Sequence, residues 1–445
     1  MGAPRMMDHT SECRVMRDLM KCGRREFLQA TTWGAGLLAG CAPLPAFDLP
    51  AGGYDASKVP GVVVSHSPAS TGIYLSSPSL IILPNGDYCA TCDEFGPGSS
   101  ERTSGVTRVF ISRDRGKAWE GLPKLTPAFW STLFINRKAL YLIGSTNSGP
   151  NSRLIIRRST DWARTWTTPA TASNGMLRPG VPVQTNAGNI TITDGRLWFG
   201  SVFDLLGPHG WGTSFRFFAM SAPLKADLLN DSSWTYSTPI VYNPTFLQGA
   251  FHGLVEGTIT TGPTGSPVTM YRVDDRDPQE KALIARPCKD GAILGFDPLQ
   301  DFVDFPGGCK KFIVRYDRAS KLYWSLSNWV PKRHAGYKVE RTRNTLALIS
   351  SPDLYHWTIR TVVLHHPDVK YHAFQYVDFR FDGDDMIALS RTAYDDGLGG
   401  ANSGHNANFI TFHRIQNFRR LTAGNAPDSL ADEIREWNRG AGPQG

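Results

Sequence analysis

"VFISRDRGKAWEGLP", residues 109–123, joins an apolar, strand-like run to a turn that ends in a tryptophan. The turn holds Ser112, Asp114, Gly116 and Trp119. An aspartate in a turn accepts hydrogen bonds from backbone N–H groups, and glycine permits the backbone angles that a tight turn needs. The tryptophan can bury its ring against a neighbouring sheet. The stretch therefore predicts a structural hairpin corner, with Asp114 structural rather than catalytic.

The same pattern occurs twice more along the chain. In "RRSTDWARTWTTP" (residues 157–169) the spacing is identical, with Ala163 in the place of the glycine. In "ISSPDLYHWTI" (residues 349–359) the tryptophan comes one residue earlier. The pattern resembles the Asp-box, the hairpin motif of sialidase-like β-propellers, and the resemblance implies a propeller fold. The matching residues of these two copies are Ser159, Asp161, Trp166, Ser351, Asp353 and Trp357.

Hairpin signals recur between and beyond these motifs, and the 44 Gly and 30 Pro favour many turns. Six such signals, among them "LPNGDYCA", "ITDGRLWFG" and "FDGDDMIALSR", are each followed by another strand-like run. A single blade cannot bury its faces alone, whereas blades stacked around an axis share a continuous core. The sequence thus predicts an all-β fold, a single β-propeller of six four-stranded blades over residues 60–420.

The two ends of the chain differ from the repeats. Residues 1–46 contain "GRREFLQ" followed by a short apolar stretch, which resembles a twin-arginine export signal. "LAGC" resembles a lipobox that would lipidate Cys41 and anchor the protein to a membrane, with cleavage near Ala46 as the alternative. These features predict an exported, periplasmic or cell-surface bacterial protein. A linker is predicted at residues 47–59 and a tail with a short helix at residues 421–445.

Charge and cysteine content narrow the classes of function. The net charge of +7 is mild, and no run of Lys and Arg with interleaved aromatics suggests nucleic acid binding. Cys89 and Cys92 have CxxC spacing, but residues three apart on a strand point to opposite faces, which argues against a zinc or redox site. A disulfide between Cys288 and Cys309 is compatible with export. Nothing in the sequence requires a cofactor.

Longer stretches resemble a propeller family that cleaves terminal L-rhamnose from D-glucuronic acid and contains both α-L-rhamnosidases and rhamnose–glucuronate lyases. They include "HSPASTGIYLSSPSLIILPNGDY", "FPGGCKKFIVRYDRASKLYWSLSN" and "FQYVDFRFDGDDMIALSRTAYDD". The resemblance implies seven blades instead of the six counted and an acidic oligosaccharide or polysaccharide as substrate, and it allows a structural calcium ion. The chain departs from the family pattern at Cys92 and Asn136, where His is expected, and at Asn406, where Asp is usual.

Sialidases are the second family that the chain resembles. "FQYVDFRFDG" places Tyr376 where a sialidase has its nucleophilic tyrosine, and "HGLVEGTITTGPTG" places Glu256 near the position of the partner glutamate. A sialidase has an arginine trio that binds the sialic acid carboxylate, and Ser76 stands where the first of these arginines is expected. The serine argues against cleavage of sialic acid.

Cleavage of a rhamnose–glucuronate bond needs proton transfer by either of two routes. Hydrolysis needs a proton donor and an activated water, whereas elimination needs a base beside the uronate carboxylate and cations that stabilise the developing charge. His66 precedes the first innermost strand and is expected near the axis, and His405 lies on a Gly/Asn-rich loop. The candidate catalytic residues are His66, Glu256, Tyr376 and His405.

Cationic side chains near the innermost strands are expected to bind the sugar carboxylate, because Arg can do so bidentately. His252 and His372 flank predicted innermost strands and are targets for mutation, whereas the pair at residues 365–366 is predicted to be a solvated loop. No metal-ligand spacing stands out, so the metal content stays open. The candidate substrate-binding residues are Lys311, Arg315, Arg391 and Arg272, with Trp211 as a stacking platform for a sugar ring.

Three functions from different classes are compatible with the sequence. The leading hypothesis is an exported carbohydrate-active enzyme that cleaves terminal L-rhamnose from glucuronic acid in an acidic glycan, by β-elimination or hydrolysis. The first alternative is an exo-α-sialidase-type glycoside hydrolase. The second is a non-catalytic glycan-binding propeller, which Cys92 and Asn136 favour.

Overall fold

The computed structural model is an all-β ring of six antiparallel sheets arranged as a propeller. It describes residues 53–207, 210–275 and 280–440. The predicted export signal, residues 1–46 with Cys41, lies outside the described residues. Within the described ranges, no helix has both the length and the apolar character needed to span a membrane.

The strands are numbered in chain order. They are β1 (Val62–His66), β2 (Tyr74–Ile82), β3 (Tyr88–Phe95), β4 (Thr107–Ser112), β5 (Glu120–Leu125), β6 (Phe129–Asn136), β7 (Ala139–Ser145), β8 (Leu154–Ser159), β9 (Met176–Leu177), β10 (Val183–Thr185), β11 (Ile190–Thr193), β12 (Arg196–Asp204), β13 (Arg216–Pro223), β14 (Thr235–Tyr236), β15 (Phe251–Thr261), β16 (Pro267–Asp275), β17 (Lys281–Pro287), β18 (Leu294–Gly295), β19 (Phe302–Asp304), β20 (Val314–Asp317), β21 (Leu322–Ser327), β22 (Thr345–Ser351), β23 (Thr358–His365), β24 (Ala373–Asp382), β25 (Asp385–Ala393) and β26 (Phe409–Ile415). Among the described residues, the α-helix is α1 (Asp428–Gly440), and short 3-10 helices are Ala56–Lys58, Ala69–Thr71, Asp231–Ser233, Phe246–Gly249, Lys332–His334, Val339–Arg341, Phe418–Arg420 and Ala423–Asn425.

Each blade has four strand positions, of which the first lines the axis and the fourth lies at the rim. Blades one, two and five are β2–β5, β6–β9 and β20–β23. In blade three β10 and β11 share the innermost position, since both pair with β12. In blade four β18 and β19 share the outermost position, since both pair with β17. The sixth blade combines β24, β25 and β26 with β1.

The N-terminal strand β1 closes the ring. It pairs with β26, with Val62 opposite Phe412 and His66 opposite Phe409, so the two ends of the described repeats share one blade. The six four-stranded blades predicted from the sequence are confirmed. The seven blades that the family resemblance implied are wrong, because β1 supplies the outer strand of the sixth blade and thereby completes the ring.

Apolar side chains fill the interfaces between neighbouring blades. The cluster at the closing interface joins Leu80 of the first blade to Leu389 and Phe412 of the sixth. Helix α1 adds Leu430 and Ile434 to the cluster between the fourth and fifth blades. Burial of these surfaces is the main stabilising contribution, and it depends on every blade having a neighbour on each side.

The first Asp-box forms the corner between the third and fourth strands of blade one. Ser112 Oγ donates a hydrogen bond to Asp114 at 2.9 Å, and two backbone amides donate to the same carboxylate at 3.0 and 2.9 Å. Gly116 has φ 91°, and a Cβ at this position would lie 2.2 Å from the Phe412 ring. The turn therefore needs a glycine for its backbone angle and for its close approach to the next blade.

The other two Asp-boxes form the equivalent corners of blades two and five. Ser159 donates to Asp161 at 2.8 Å, and Ser351 donates to Asp353 at 3.2 Å. Trp357 is 2% exposed and packs edge-on against Phe305 in the core. The third strand of a blade runs in the same direction as the first, so its end and the Asp-box corner lie opposite the face where the innermost strands begin.

The four cysteines of the described ranges are unbonded. The disulfide between Cys288 and Cys309 that export would permit is therefore not formed. Cys89 and Cys92 are buried in β3, and burial raises the pKa of each thiol to about 12. Such thiols are protonated at neutral pH.

Candidate active site

The innermost strands of three blades break their regular pairing close to the point where they begin. The residues that take left-handed backbone angles there are Ser77, Trp130 and Tyr376, with φ of 49°, 48° and 53°. Each lies at a register shift between its strand and the next. Left-handed angles in non-glycine residues are strained and persist where the surrounding structure holds them, often at functional sites. All three residues lie on the face of the ring where the innermost strands begin, which makes that face the candidate functional site.

Glu256 and Arg272 form the central ion pair of this face. They lie opposite each other on β15 and β16, and Arg272 Nη1 donates to Glu256 Oε2 at 2.8 Å. Arg272 Nε also donates to the carbonyl of Cys309 at 2.8 Å. Both side chains are 9% exposed, so the pair is held in a largely dry environment.

The charges around Glu256 keep it ionised. Burial alone would raise the pKa of Glu256, but the charges of Arg272 and Lys311 outweigh it and lower the pKa. The hydrogen bond from Arg272 and the nearby Tyr376 hydroxyl act in the same direction. Burial in turn lowers the pKa of Lys311 to about 8, although Glu256 opposes the shift. Glu256 is therefore a buried carboxylate next to a phenol, where it can accept the phenolic proton.

Two further arginines enclose Tyr376. The guanidinium carbon of Arg391 lies 4.7 Å from the centre of the Tyr376 ring, and that of Arg343 lies 5.5 Å from it. Arg343 donates to the side chain of Gln375 at 2.5 Å, and Arg391 donates to the carbonyl of His405. Burial lowers the pKa of both arginines, that of Arg391 to about 10. The Tyr376 hydroxyl therefore lies in a strongly cationic surrounding.

Four cationic side chains in this cluster share a single carboxylate, that of Glu256. Arg272, Arg343, Arg391 and Lys311 are each 7% exposed or less and interact with Glu256. The Nε of Arg391 is buried without a hydrogen-bond partner. Buried charge that is not paired is costly, and an anionic ligand would relieve that cost. The cluster is therefore suited to binding an anion such as a carboxylate.

Glu101 is the second carboxylate near this centre. It lies on the loop between β3 and β4, and burial raises its pKa, which the hydrogen bond from Gly96 and the charges of Arg102 and Arg391 only partly offset. Its Oε1 accepts a long hydrogen bond, 3.4 Å, from the amide of Gly96. A carboxyl group with a raised pKa is suited to donate a proton near neutral pH.

His405 lies beside the same centre. Its ring meets Phe95 edge-on at 5.7 Å, and its Nδ1 is 2.8 Å from the side-chain oxygen of Asn406. Burial, followed by the charges of Arg391 and Arg343, lowers the pKa of His405 to about 3. The imidazole is therefore neutral at pH 7 and a weak base.

His66 occupies a different position from the one expected near the axis. It ends β1, the outermost strand of the sixth blade, and its Nε2 is 3.0 Å from Asp396 Oδ2. Its ring stacks on Phe409 at 4.5 Å. Asp396 also accepts hydrogen bonds from the amides of Leu398 and Gly400. This arrangement anchors the loop that carries His405, and it corrects the expected place of His66.

Arg315 lies deeper along the axis and shares one carboxylate with Arg380. It donates to Asp378 at 2.8 Å, and Arg380 donates to the same carboxylate at 2.7 Å. Asp378 is fully buried and also accepts from the amide of Leu80 at 2.8 Å. Arg315 thus belongs to a network that joins the first, fifth and sixth blades, separate from the cations around Tyr376.

Trp211 and His252 lie near the start of β15, at the rim of the face that holds Glu256. Trp211 is 64% exposed and meets Phe215 edge-on at 5.0 Å. Gly212 packs on the backbone of His252 and Gly253, which fixes the loop against β15. Trp211 thus presents an open aromatic surface, as a stacking platform requires.

The residues at which the chain departs from the two family patterns lie in different parts of the structure. Ser76 and Ser77 are both buried at the start of β2, with their hydroxyl groups 3.3 Å apart. Cys92 is buried within β3. Asn136 ends β6, at the opposite end of an innermost strand from the cluster, and donates to the carbonyl of Leu224. Asn136 is therefore remote from the chemistry of the candidate site.

Two residues of the candidate site, Arg343 and Glu101, were not predicted from the sequence. Arg343 precedes β22 in "ERTRNTLALIS". Its charge next to an apolar strand was the feature of the sequence that could have indicated it. Glu101 lies in the polar loop "GPGSSERTSG", where a glutamate resembles any solvated residue. Both residues lie near the centre of this face because the ring brings together loops that are distant in the sequence.

These features define a six-bladed β-propeller with a cationic centre around Tyr376 and Glu256. No protein-family model and no curated protein matches the chain.

Solved structures match the chain in fold. The α-L-arabinanase of Penicillium chrysogenum, solved with arabinobiose, is 15% identical, has a TM-score of 0.51, and is matched over 81% of this chain and 98% of its own. The Hadza microbial sialidase Hz136 is 14% identical with a TM-score of 0.55, over 80% of this chain and 68% of its own. The sialidase of Trypanosoma rangeli, solved with the inhibitor DANA, is 13% identical with a TM-score of 0.50, over 85% of this chain and 58% of its own. At these identities the likeness shows the fold alone.

Proposed function

We propose that the protein is a carbohydrate-active enzyme that hydrolyses glycosides with a sugar carboxylate next to the scissile bond. The observation that carries the proposal is the buried cluster of cations around Tyr376 and Glu256. The pKa of Glu256 is lowered by its cationic neighbours, and burial raises the pKa of Glu101. Two carboxylates whose surroundings separate their pKa values are typical of an acid and a base in one active site.

The roles follow from these protonation states. Glu256 accepts the phenolic proton of Tyr376, whose oxygen attacks the anomeric carbon. Glu101 donates its proton to the leaving oxygen, so that the glycosidic bond breaks as the tyrosyl bond forms. A water molecule, deprotonated by Glu101, then attacks the anomeric carbon and releases Tyr376, which takes its proton back from Glu256. The step needs no redox partner and consumes one water.

The cationic cluster supports an acidic substrate. Arg272, Arg343 and Arg391 surround the Tyr376 ring and hydroxyl, and an arginine binds a carboxylate through two parallel hydrogen bonds. A substrate carboxylate would complete the pairing that Glu256 alone leaves incomplete. The fold likeness to an arabinanase and to sialidases is compatible with a glycan substrate.

Two sources could supply such a carboxylate: a rhamnosyl-glucuronate, as the longer sequence resemblance implies, or a sialoside. The export predicted from the N-terminus would bring the enzyme to glycans outside the cytoplasm.

The experiment incubates the full chain with a rhamnosyl-glucuronate, a sialoside and a neutral arabino-oligosaccharide, and reads the products by mass spectrometry. Hydrolysis adds one water to the sum of the products, whereas elimination leaves the sum unchanged. We expect hydrolysis of one acidic substrate and none of the neutral one. Cleavage of the neutral substrate alone would overturn the proposed specificity, and elimination would overturn the roles given to Tyr376 and Glu256.

The matched variants are Arg343→Gln and Arg113→Gln, the second an exposed arginine paired with Glu120 on the Asp-box face. Arg343→Gln should lower kcat/KM for the acidic substrate about 10- to 100-fold, because it removes charge-assisted hydrogen bonds to the carboxylate. Arg113→Gln should change it less than about twofold. Calorimetric binding of an acidic oligosaccharide with no product after long incubation would instead identify a glycan-binding propeller.

A further inference from the structure

A cluster of metal-binding side chains lies outside the candidate active site. His366, Asp368 and His372 each offer a ligand atom, and these atoms lie within 4.8 Å of one another. His366 follows β23 and His372 precedes β24, so the loop between the two strands folds back on itself to form the cluster. The cluster differs from the solvated histidine loop that the sequence predicted.

The imidazole rings of the cluster are held in place. His366 and His372 stack with their centres 3.6 Å apart, and Tyr394 packs edge-on against the His372 ring at 4.9 Å. Asp368 Oδ2 lies 2.7 Å from His372 Nδ1. The Asp368 carboxylate also accepts hydrogen bonds from two amides of its own loop, which orient it.

The second ring nitrogen of His372 faces a carboxylate outside the cluster. The His372 side chain is 8% exposed, and its Nε2 makes no hydrogen bond. The carboxylate of Asp395 lies 3.5 Å from that nitrogen. A histidine that binds a metal through one ring nitrogen commonly directs the other at a carboxylate, which fixes the ring and its tautomer. His372 has this arrangement, with Asp368 on one side and Asp395 on the other.

We propose that His366, Asp368 and His372 bind a divalent transition-metal ion such as Zn²⁺. Two imidazoles and one carboxylate suit zinc and its neighbours, whereas calcium and magnesium prefer oxygen ligands. The site therefore differs in chemistry from the structural calcium that the family resemblance allows, which stays a prediction. Binding requires a local rearrangement, because the metal would replace the direct contact between Asp368 and His372 and the two stacked rings would have to tilt until their nitrogens face one ion. His366 would bind through Nε2, since its Nδ1 accepts a hydrogen bond from the amide of Asp368.

The position of the metal links two loops beside the candidate active site. The carbonyl oxygen of Lys370 accepts a hydrogen bond from the amide of Gly404 at 2.6 Å, and the side chain of Gln375 donates to the carbonyl of Gly404. His405 follows in the same loop, and Tyr376 follows Gln375 on β24. A metal at the cluster would stiffen both loops without touching the reacting groups.

The experiment titrates Zn²⁺ and, separately, Ca²⁺ into metal-free full-length protein by calorimetry. We expect about one zinc per chain, an affinity at least tenfold lower in His366→Asn, and no calcium uptake at the same site. His356→Asn is the matched control, because His356 lies 2.7 Å from Asp353 but has no second histidine beside it. Circular dichroism verifies that each variant is folded, and the Co²⁺ absorption spectrum reports the coordination.

No saturable zinc uptake by the wild type, or equal affinity in His366→Asn and the wild type, would overturn the site. The proposal does not rest on the glycosidase activity. Tyr376→Phe should bind zinc as the wild type does, so failure of the metal site and failure of the proposed function can be told apart.

Discussion

Replacement of Glu256 by glutamine removes the negative charge at the centre of the site while keeping its shape. Glu256 is 8% exposed and accepts from Arg272 at 2.8 Å, so Arg272 would be left as a buried cation without a counter-charge. Loss of one partner of a buried ion pair typically costs about 3–5 kcal/mol. The glutamine oxygen can still accept the hydrogen bond, and we therefore expect about 3 kcal/mol.

The free energy of unfolding is measured by urea denaturation of the wild type and of Glu256→Gln at pH 7. The pH dependence gives a second test. Because the folded-state pKa of Glu256 is lowered, the stability that it contributes is complete above the ordinary glutamate pKa of about 4.3 and is lost as the pH falls through the folded pKa. The gap between the two proteins should therefore narrow below about pH 4.

A loss smaller than about 1 kcal/mol at pH 7 would refute the reasoning, because exposed ion pairs contribute no more than that. A gap that stays constant down to pH 3 would also contradict it, since the wild-type carboxylate would then not carry the difference.

Three further predictions concern the ring and its rim. Asp378→Asn removes the fully buried carboxylate that joins three blades and should cost about 3–5 kcal/mol in urea unfolding, whereas Glu120→Gln at an exposed pair should cost less than about 1 kcal/mol; equal costs would contradict the account. Trp357→Ala empties a core position that is 2% exposed and should destabilise the fold by about 3–5 kcal/mol, and a loss below 1 kcal/mol would show that the Asp-box tryptophan does not anchor its blade. Trp211→Ala should leave stability unchanged, because the ring is 64% exposed, and should raise KM for oligosaccharides longer than a disaccharide; an unchanged KM would remove Trp211 from the substrate path.

The fold could be predicted from the sequence because its signals are local. The Asp-box at Ser112–Trp119 specifies its own turn through hydrogen bonds within four residues, and such turns recur. The six blades follow from the count of hairpins. The family resemblance gave seven, since a similar turn or strand does not fix how many blades close the ring.

The site could be predicted only in part, because its geometry depends on contacts between distant segments. Tyr376, Glu256 and Arg272 were predicted as candidates because they lie on or next to innermost strands, and the structure brings them together. His66 precedes an innermost strand in the sequence, yet it lies at the rim because β1 pairs with β26 at the end of the chain. Glu101 lies on a long loop, and the sequence of a loop has no hydrophobic periodicity from which its path could be predicted.

The measurement that tests the central claim most directly is product release from an acidic oligosaccharide by the wild type and by Tyr376→Phe, followed by mass spectrometry over the same time course. Tyr376→Phe deletes the hydroxyl that is proposed as the nucleophile and leaves the ring between Arg343 and Arg391 in place. The account predicts hydrolysis by the wild type and at least a 100-fold slower rate for the variant, on the order of the effect of losing an activated nucleophile. Equal rates for the two proteins, or no product from the wild type with either acidic substrate, would contradict it.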